Sequence, residues 1–179
     1  MRIVVVYESS YGNTHVVADA IGEGVPPGHD VVVVPVSGAS QELVDGADLL
    51  VVGGPTHVHG MSRVRTQQAA VEAAHKPDSE LALDPDAEGP GLRAWFESIR
   101  SGHTNAAAFD TRVDGPVLIT GRASTGISRQ LRHHGFHEIA EPMSFLVTKQ
   151  HTLAMGQKPS AQRWGRVLAE TLAALHATT

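Results

Sequence analysis

Apolar positions along the chain fall into short runs, and each run gives way to a segment with helical spacing or to a polar loop. Residues 3–7 form the first run, and residues 30–36 a second in which six of seven positions are apolar or proline. Residues 48–54, 105–110 and 139–147 supply three more, the last expected to bend at Pro142. Near-continuous apolar runs mark strands buried on both faces, as in a parallel sheet covered by helices. Between the runs the period changes. Val17, Ala20 and Ile21 follow the i, i+3, i+4 spacing of a helix face. Helical spacing resumes at Val64, with Val71 and Ala74, and again at Ile127 and Leu131. Ser124 is expected to cap that later helix and Gly135 to end it. Ala161, Trp164, Leu168, Leu172 and Leu175 trace a closing helix. Five strands alternating with helices predict an α/β fold with a parallel sheet covered on both faces.

Three segments are less regular. Residues 77–91, with three prolines and two glycines, predict a loop whose acidic side chains are solvated. Leu92, Trp95, Phe96 and Ile99 then share one helix face, the spacing of a core stripe rather than of a ligand stack. Residues 113–121 fit either a short extra strand at 117–120 or an apolar loop packed under a ligand.

Composition narrows the class. With 179 residues, 41% hydrophobic and 18% charged, the chain reads as one soluble domain, 1–179, able to bury about 70% of its unfolded surface. No run approaches the ~20 apolar residues that span a bilayer. The N-terminal run also lacks the basic flank and cleavage site of a secretory signal. Having no cysteine excludes disulfides, a thiolate nucleophile and iron–sulfur ligation. A cytoplasmic location is the simplest expectation. Residues 1–91 carry net −9 and residues 92–179 net +4; neither half is basic enough to suggest nucleic acid. Among the eleven histidines, His133 and His134 are expected to complement a helix C-terminus, and no metal site is expected.

The candidate chemistry lies where the first run ends. Ser9, Ser10, Tyr11, Gly12, Asn13 and Thr14 stand between a strand and a helix start. Backbone N–H groups there lack intrahelical partners and sit at the positive end of the helix dipole, a place for a phosphate. No lysine follows the glycine, which excludes the triphosphate-gripping GxxxxGK[ST] loop, and the three glycines of a dinucleotide fingerprint are missing. Neutral hydroxyls suit a phosphate that is held and not transferred. A Ser/Asn helix cap without any ligand fits the same residues. The run at 48–54 likewise ends in a Gly- and Pro-rich loop, Pro55, Thr56, His57, Val58, His59, Gly60, Met61, expected to continue neither strand nor helix. Two such loops at the carboxyl ends of adjacent parallel strands form the usual ligand crevice of open α/β sheets.

Ser9-x-Tyr11-Gly12-Asn13-Thr14 resembles the S/T-x-T-G-N-T phosphate loop of the flavodoxin family, and Gly53-Gly54-Pro55-Thr56 onward resembles that family's first isoalloxazine loop. Residues 107–112 resemble the start of its second flavin loop in a bacterial, actinobacterial-type branch, and residues 122–131 and 136–147 resemble that branch's last helix–strand unit. The resemblance implies a flavodoxin-like doubly wound five-stranded parallel sheet in the order 2-1-3-4-5. It implies FMN as cofactor, the phosphate at Ser9 to Thr14, and the ring between the loop from Thr56 to Met61, entered through Pro55, and Asp110, Thr111 and Arg112. A Gly60 peptide would turn its carbonyl to the N5–H of reduced flavin, and Arg112 would face the N1/O2 edge. The Trp/Tyr sandwich of many family members is missing, with His57 and His59 in the first loop instead. Each lost stack forgoes about 0.5–1.5 kcal/mol. The implied function is electron transfer through bound FMN to a redox partner protein or small acceptor. An NAD(P)H-dependent quinone reductase and a cofactor-free interaction module remain as alternatives.

Overall fold

The computed structural model describes residues 1–57, 60–79 and 81–177. Its centre is a parallel sheet of β1 (Arg2–Tyr7), β2 (Asp30–Pro35), β3 (Leu49–His57) and β5 (Asn105–Val113), with a two-residue β4 (Gly60–Met61) folded back on β3. The fifth position is shared by β6 (His137–Glu138), paired to the start of β5, and β7 (Met143–Val147), paired to its end. The order β2-β1-β3-β5-β6 is the expected 2-1-3-4-5. The single bent strand expected at 139–147 is therefore two pieces. Pro142, which has no N–H to donate, lies in the gap between them.

Strand side chains alternate between the two faces. Val4, Val6, Leu50 and Val52 pack with α2 (Gln41–Asp45), α4 (Leu92–Ser98) and α6 (Ala123–His133). Ile3, Val5, Leu49 and Val51 pack with α1 (Asn13–Gly24) and α7 (Gln157–Ala177). α3 (Val64–Ala74) buries only Ala70. Trp95 and Phe96 are core residues as their spacing predicted, with the Trp95 indole N–H donating to the Ala39 carbonyl at 2.8 Å. The closing helix α7 is present as its spacing predicted, with Leu175 at its end 44% exposed.

Other segments depart from the sequence reading. Residues 117–120 form one helical turn, α5 (Val117–Thr120), neither a strand nor an apolar underlay, and Leu118 is 96% exposed. Residues 77–91 are irregular as expected, but they are not simply solvated. Asp84 is buried, its N–H donates to the Ser10 carbonyl at 2.9 Å, and its carboxylate lies 3.0 Å from His15 Nδ1. β3 also runs on through Pro55, Thr56 and His57, which were expected to leave the strand. β1 accompanies β3 only as far as Gly53, whereas β5 continues to Pro55. Beyond Gly53 one side of β3 is an edge, where a proline is tolerated.

Candidate functional site

β1, β3 and β5 all deliver their carboxyl ends to one side of the sheet, where the order reverses between β1 and β3. A cavity of about 170 Å³ lies there, lined by Ser9, Ser10, Tyr11, Asn13, Thr14, Pro55, Thr56, His57, Thr111 and Arg112. Val113, Val147 and His151 complete the wall. Ten residues singled out in the sequence are thus brought together. Gly60 and Met61 line a neighbouring cavity instead, and Val58 and His59 lie outside the described residues.

The helix start leaves its first amides without a side-chain cap. Gly12 is the N-cap of α1 with φ +82°, a left-handed conformation costly for any residue with a Cβ. Its N–H donates to Ser9 Oγ at 3.1 Å, which closes the turn. No side chain caps α1, and no acidic residue occupies its first turn. The opening amides therefore remain for an external acceptor, and the alternative of a self-satisfied Ser/Asn cap is not what the chain adopts. Thr14 Oγ1 and Thr111 Oγ1 share a 2.8 Å hydrogen bond, joining the helix start to β5. A phosphate and its chain fit this donor set by charge and by chemistry.

Several expected contacts are otherwise engaged. Asn13 Nδ2 donates to the His151 carbonyl at 2.8 Å. The Tyr11 hydroxyl turns to the Ala70 carbonyl at 3.1 Å, while its ring meets His151 edge-on with centroids 5.4 Å apart. Thr56 Oγ1 and Asp110 Oδ2 accept from Ala123 N and Ser124 N, at 2.9 and 2.7 Å. These two neighbouring-strand side chains therefore satisfy the start of α6, and the expected cap Ser124 lies inside its first turn. Asp110 is fully buried and does not line the cavity; its Oδ1 has no partner among the described residues. Arg112 lines the cavity, but its Nη1 donates to the Gly115 carbonyl at 2.9 Å and to Thr120 Oγ1 at 3.2 Å. A guanidinium held there braces the 113–120 turn.

Glu8 and His151 were not legible as site residues. Glu8 is buried, and its carboxylate accepts from Ser62 Oγ, from Gln67 Nε2 at 3.1 Å and from Leu92 N at 2.8 Å. It ties the segment behind the cavity to α3 and α4. Its place immediately after an apolar strand was the available signal. His151 carried none, because its 148–152 turn reaches the helix start only through the fold.

His57 Nε2 lies 3.4 Å from Ser10 Oγ. Burial pushes its imidazole below the ordinary value, with Glu8 pulling weakly the other way. The folded chain therefore resists taking up this proton. Above about pH 6.5 neither state carries it and folding loses nothing; as pH falls below that value the unfolded chain protonates first and stability drops. His57→Gln is expected to lose less stability than the parent between about pH 7.5 and 5.5. Urea midpoints at the two pH values check this, and an equal drop in both proteins would refute it.

A doubly wound α/β sheet with a cavity at its switch point defines the class. The flavodoxin family model matches residues 5–91, from β1 into the loop before α4. That stretch, just under half of the chain, carries the similarity to the family's sequence signature. A flavodoxin from the domain Archaea superposes with TM-score 0.66 at 21% identity, over 97% of this chain and 99% of that one. Oxidised flavodoxin 1 from Bacillus cereus gives 0.61 at 16%, over 97% of each chain. A flavodiiron protein from Giardia intestinalis gives 0.62 at 18%, over 97% of this chain and 36% of that one. The fold is flavodoxin-like. No curated protein matches the chain. Among the described residues no helix is long and apolar enough to cross a membrane.

Proposed function

We propose that this chain, as a single domain, is an FMN-binding protein that accepts electrons and passes them to a redox partner. Members of the flavodoxin family bind FMN. The observation that carries the reading here is the uncapped α1 start, opened by left-handed Gly12 and facing the cavity where the three strands end. Ser9, Ser10 and Thr14, with the amides that open α1, would hold the phosphate. Thr111, Pro55 and Thr56 would flank the chain that joins phosphate to ring. His57, Tyr11 and His151 would supply the aromatic walls in place of the absent tryptophan. When bound, the flavin supplies the one- and two-electron chemistry; the protein holds, tunes and exposes it. A neutral imidazole at His57 would offer a hydrogen bond without adding charge.

The test is reconstitution. Protein incubated with excess FMN and then desalted is expected to stay yellow, with two visible absorption bands and close to one flavin per chain. Colourless protein, with flavin fluorescence recovered entirely in the small-molecule fraction, would refute the proposal and favour a cofactor-free module.

A further inference from the structure

A second and larger cavity, about 780 Å³, adjoins the first, and the two share His57 as a common wall. Its lining holds five arginines, Arg63, Arg65, Arg93, Arg122 and Arg129, and no carboxylate. These are five of the chain's eleven arginines in a protein whose net charge is −5. Among the described residues none of the five has an ion-pair partner, although Arg2, Arg100 and Arg132 each do. Two are aimed by backbone carbonyls instead. Arg93 donates to the Ser62 carbonyl at 3.0 Å, and Arg122 to the Pro142 carbonyl at 2.7 Å.

Clustering like charges costs Coulomb energy that a carboxylate neighbour would relieve, so five unpaired guanidinium groups around one hollow point to an anion that arrives from solution. Two further features set its class. The first turn of α3 lines the hollow and adds the positive end of a helix dipole, while α6, whose start is already satisfied by Thr56 and Asp110, contributes Thr125, Gly126 and Arg129 to the wall. Its volume falls within the range of small-molecule sites, far more than one phosphate fills. The remaining wall is apolar, from Met61 and the half-exposed Val117. Guanidinium forks suit phosphate oxygens, and their planes and an apolar wall suit a base.

We infer that this cavity binds a nucleoside diphosphate group, either as a free nucleotide or as half of a nicotinamide dinucleotide. The binding claim stands apart from the flavin reading. Only the use of the shared His57 wall, which would set the far end of a dinucleotide beside the cofactor, rests on that reading.

Calorimetric titration of the intact protein with ADP and with NADPH, at low and moderate salt, tests it. Both ligands are expected to bind, more weakly at the higher salt. Arg65→Ala and Arg129→Ala should each raise Kd about tenfold, and the double variant about a hundredfold. Circular dichroism and FMN retention should stay as in the parent, because neither side chain touches the first cavity or supports the fold. Tighter binding of NADPH than ADP identifies the dinucleotide; equal binding identifies the nucleoside diphosphate group as sufficient. Binding of neither ligand below millimolar concentration at low salt would overturn the inference. So would affinities that the double variant leaves unchanged. Retention of FMN in the same sample separates that failure from failure of the flavin assignment.

Discussion

Replacing Thr14 by Asp is expected to weaken FMN retention about a thousandfold. Thr14 is 2% exposed, stands in the first turn of α1 and lines the cavity beside Ser9 and Ser10. A carboxylate there would meet the phosphate at close range with little water between. Two unit charges 4 Å apart at an effective dielectric constant of 20 repel by about 4 kcal/mol, nearly three decades in a binding constant. The shared hydrogen bond to Thr111 would also change character. The same carboxylate is favoured near a helix N-terminus by about 0.3–1 kcal/mol, so loss of ligand would not simply report loss of helix. Thr14→Ser keeps the hydroxyl and should retain flavin. Fluorescence titration of FMN into the three proteins decides the matter. A Kd for Thr14→Asp within a factor of five of the parent would remove the phosphate from this position.

Gly165→Ala is expected to cost about 2–3 kcal/mol in stability. Gly165 lies inside α7, where alanine would ordinarily improve helix propensity by about 1 kcal/mol. Here a Cβ would stand 2.0 Å from the carbonyl oxygen of Ile21 in α1, and 2.9 Å from its carbonyl carbon. Because the obstacle is backbone, relief requires α7 to move off α1 as a body. That separation would open the packing of Val17, Ile21, Leu168 and Leu172 on this face of the sheet. Overpacking of this kind costs about 1–3 kcal/mol and occasionally more, and the upper end applies to a rigid neighbour. A net loss of about 2–3 kcal/mol in a domain of this size corresponds to a melting point lower by about 6–10 °C. Thermal unfolding followed at 222 nm reads it. A melting point equal to or above the parent's would mean that the helices part freely.

These two positions differ in how far the chain alone disclosed them. Thr14 sits in a local pattern: apolar strand, hydroxyls, a glycine, then helical spacing. Each step acts between residues a few places apart, so sequence order suffices to read it. The strand positions and the place of the crevice came from the same kind of reading, whereas the order 2-1-3-4-5 was implied only by the resemblance to flavodoxins. Gly165 carries no such local signal. Nothing nearby in sequence reveals that it permits the backbones of α1 and α7 to touch, since Ile21 is far away along the chain.

The same division runs through the site. Pro55 reads as a breaker from its own chemistry, yet β3 continues through it, because β1 stops two residues earlier and leaves that side without a partner. Asp110 was expected at the flavin and instead satisfies the start of α6. A carboxylate's partner is chosen by whichever amide the fold brings within reach. Arg112 was expected at the ring edge for its charge, and it braces carbonyls of its own turn. The arginine-lined cavity was invisible in sequence, where its members lie in four separate segments from 63 to 129 and the chain is acidic overall.

By itself, then, the sequence determined the alternation of buried strands and helices, their termini within a few residues, and the strand-to-helix turn at 9–14. Those depend on short-range periodicity, capping and backbone freedom. Tertiary structure alone decided which side chains remain available at the cleft, which glycines permit close approach, and where positive charge collects. Those outcomes depend on distances between residues that the chain separates and only the fold unites.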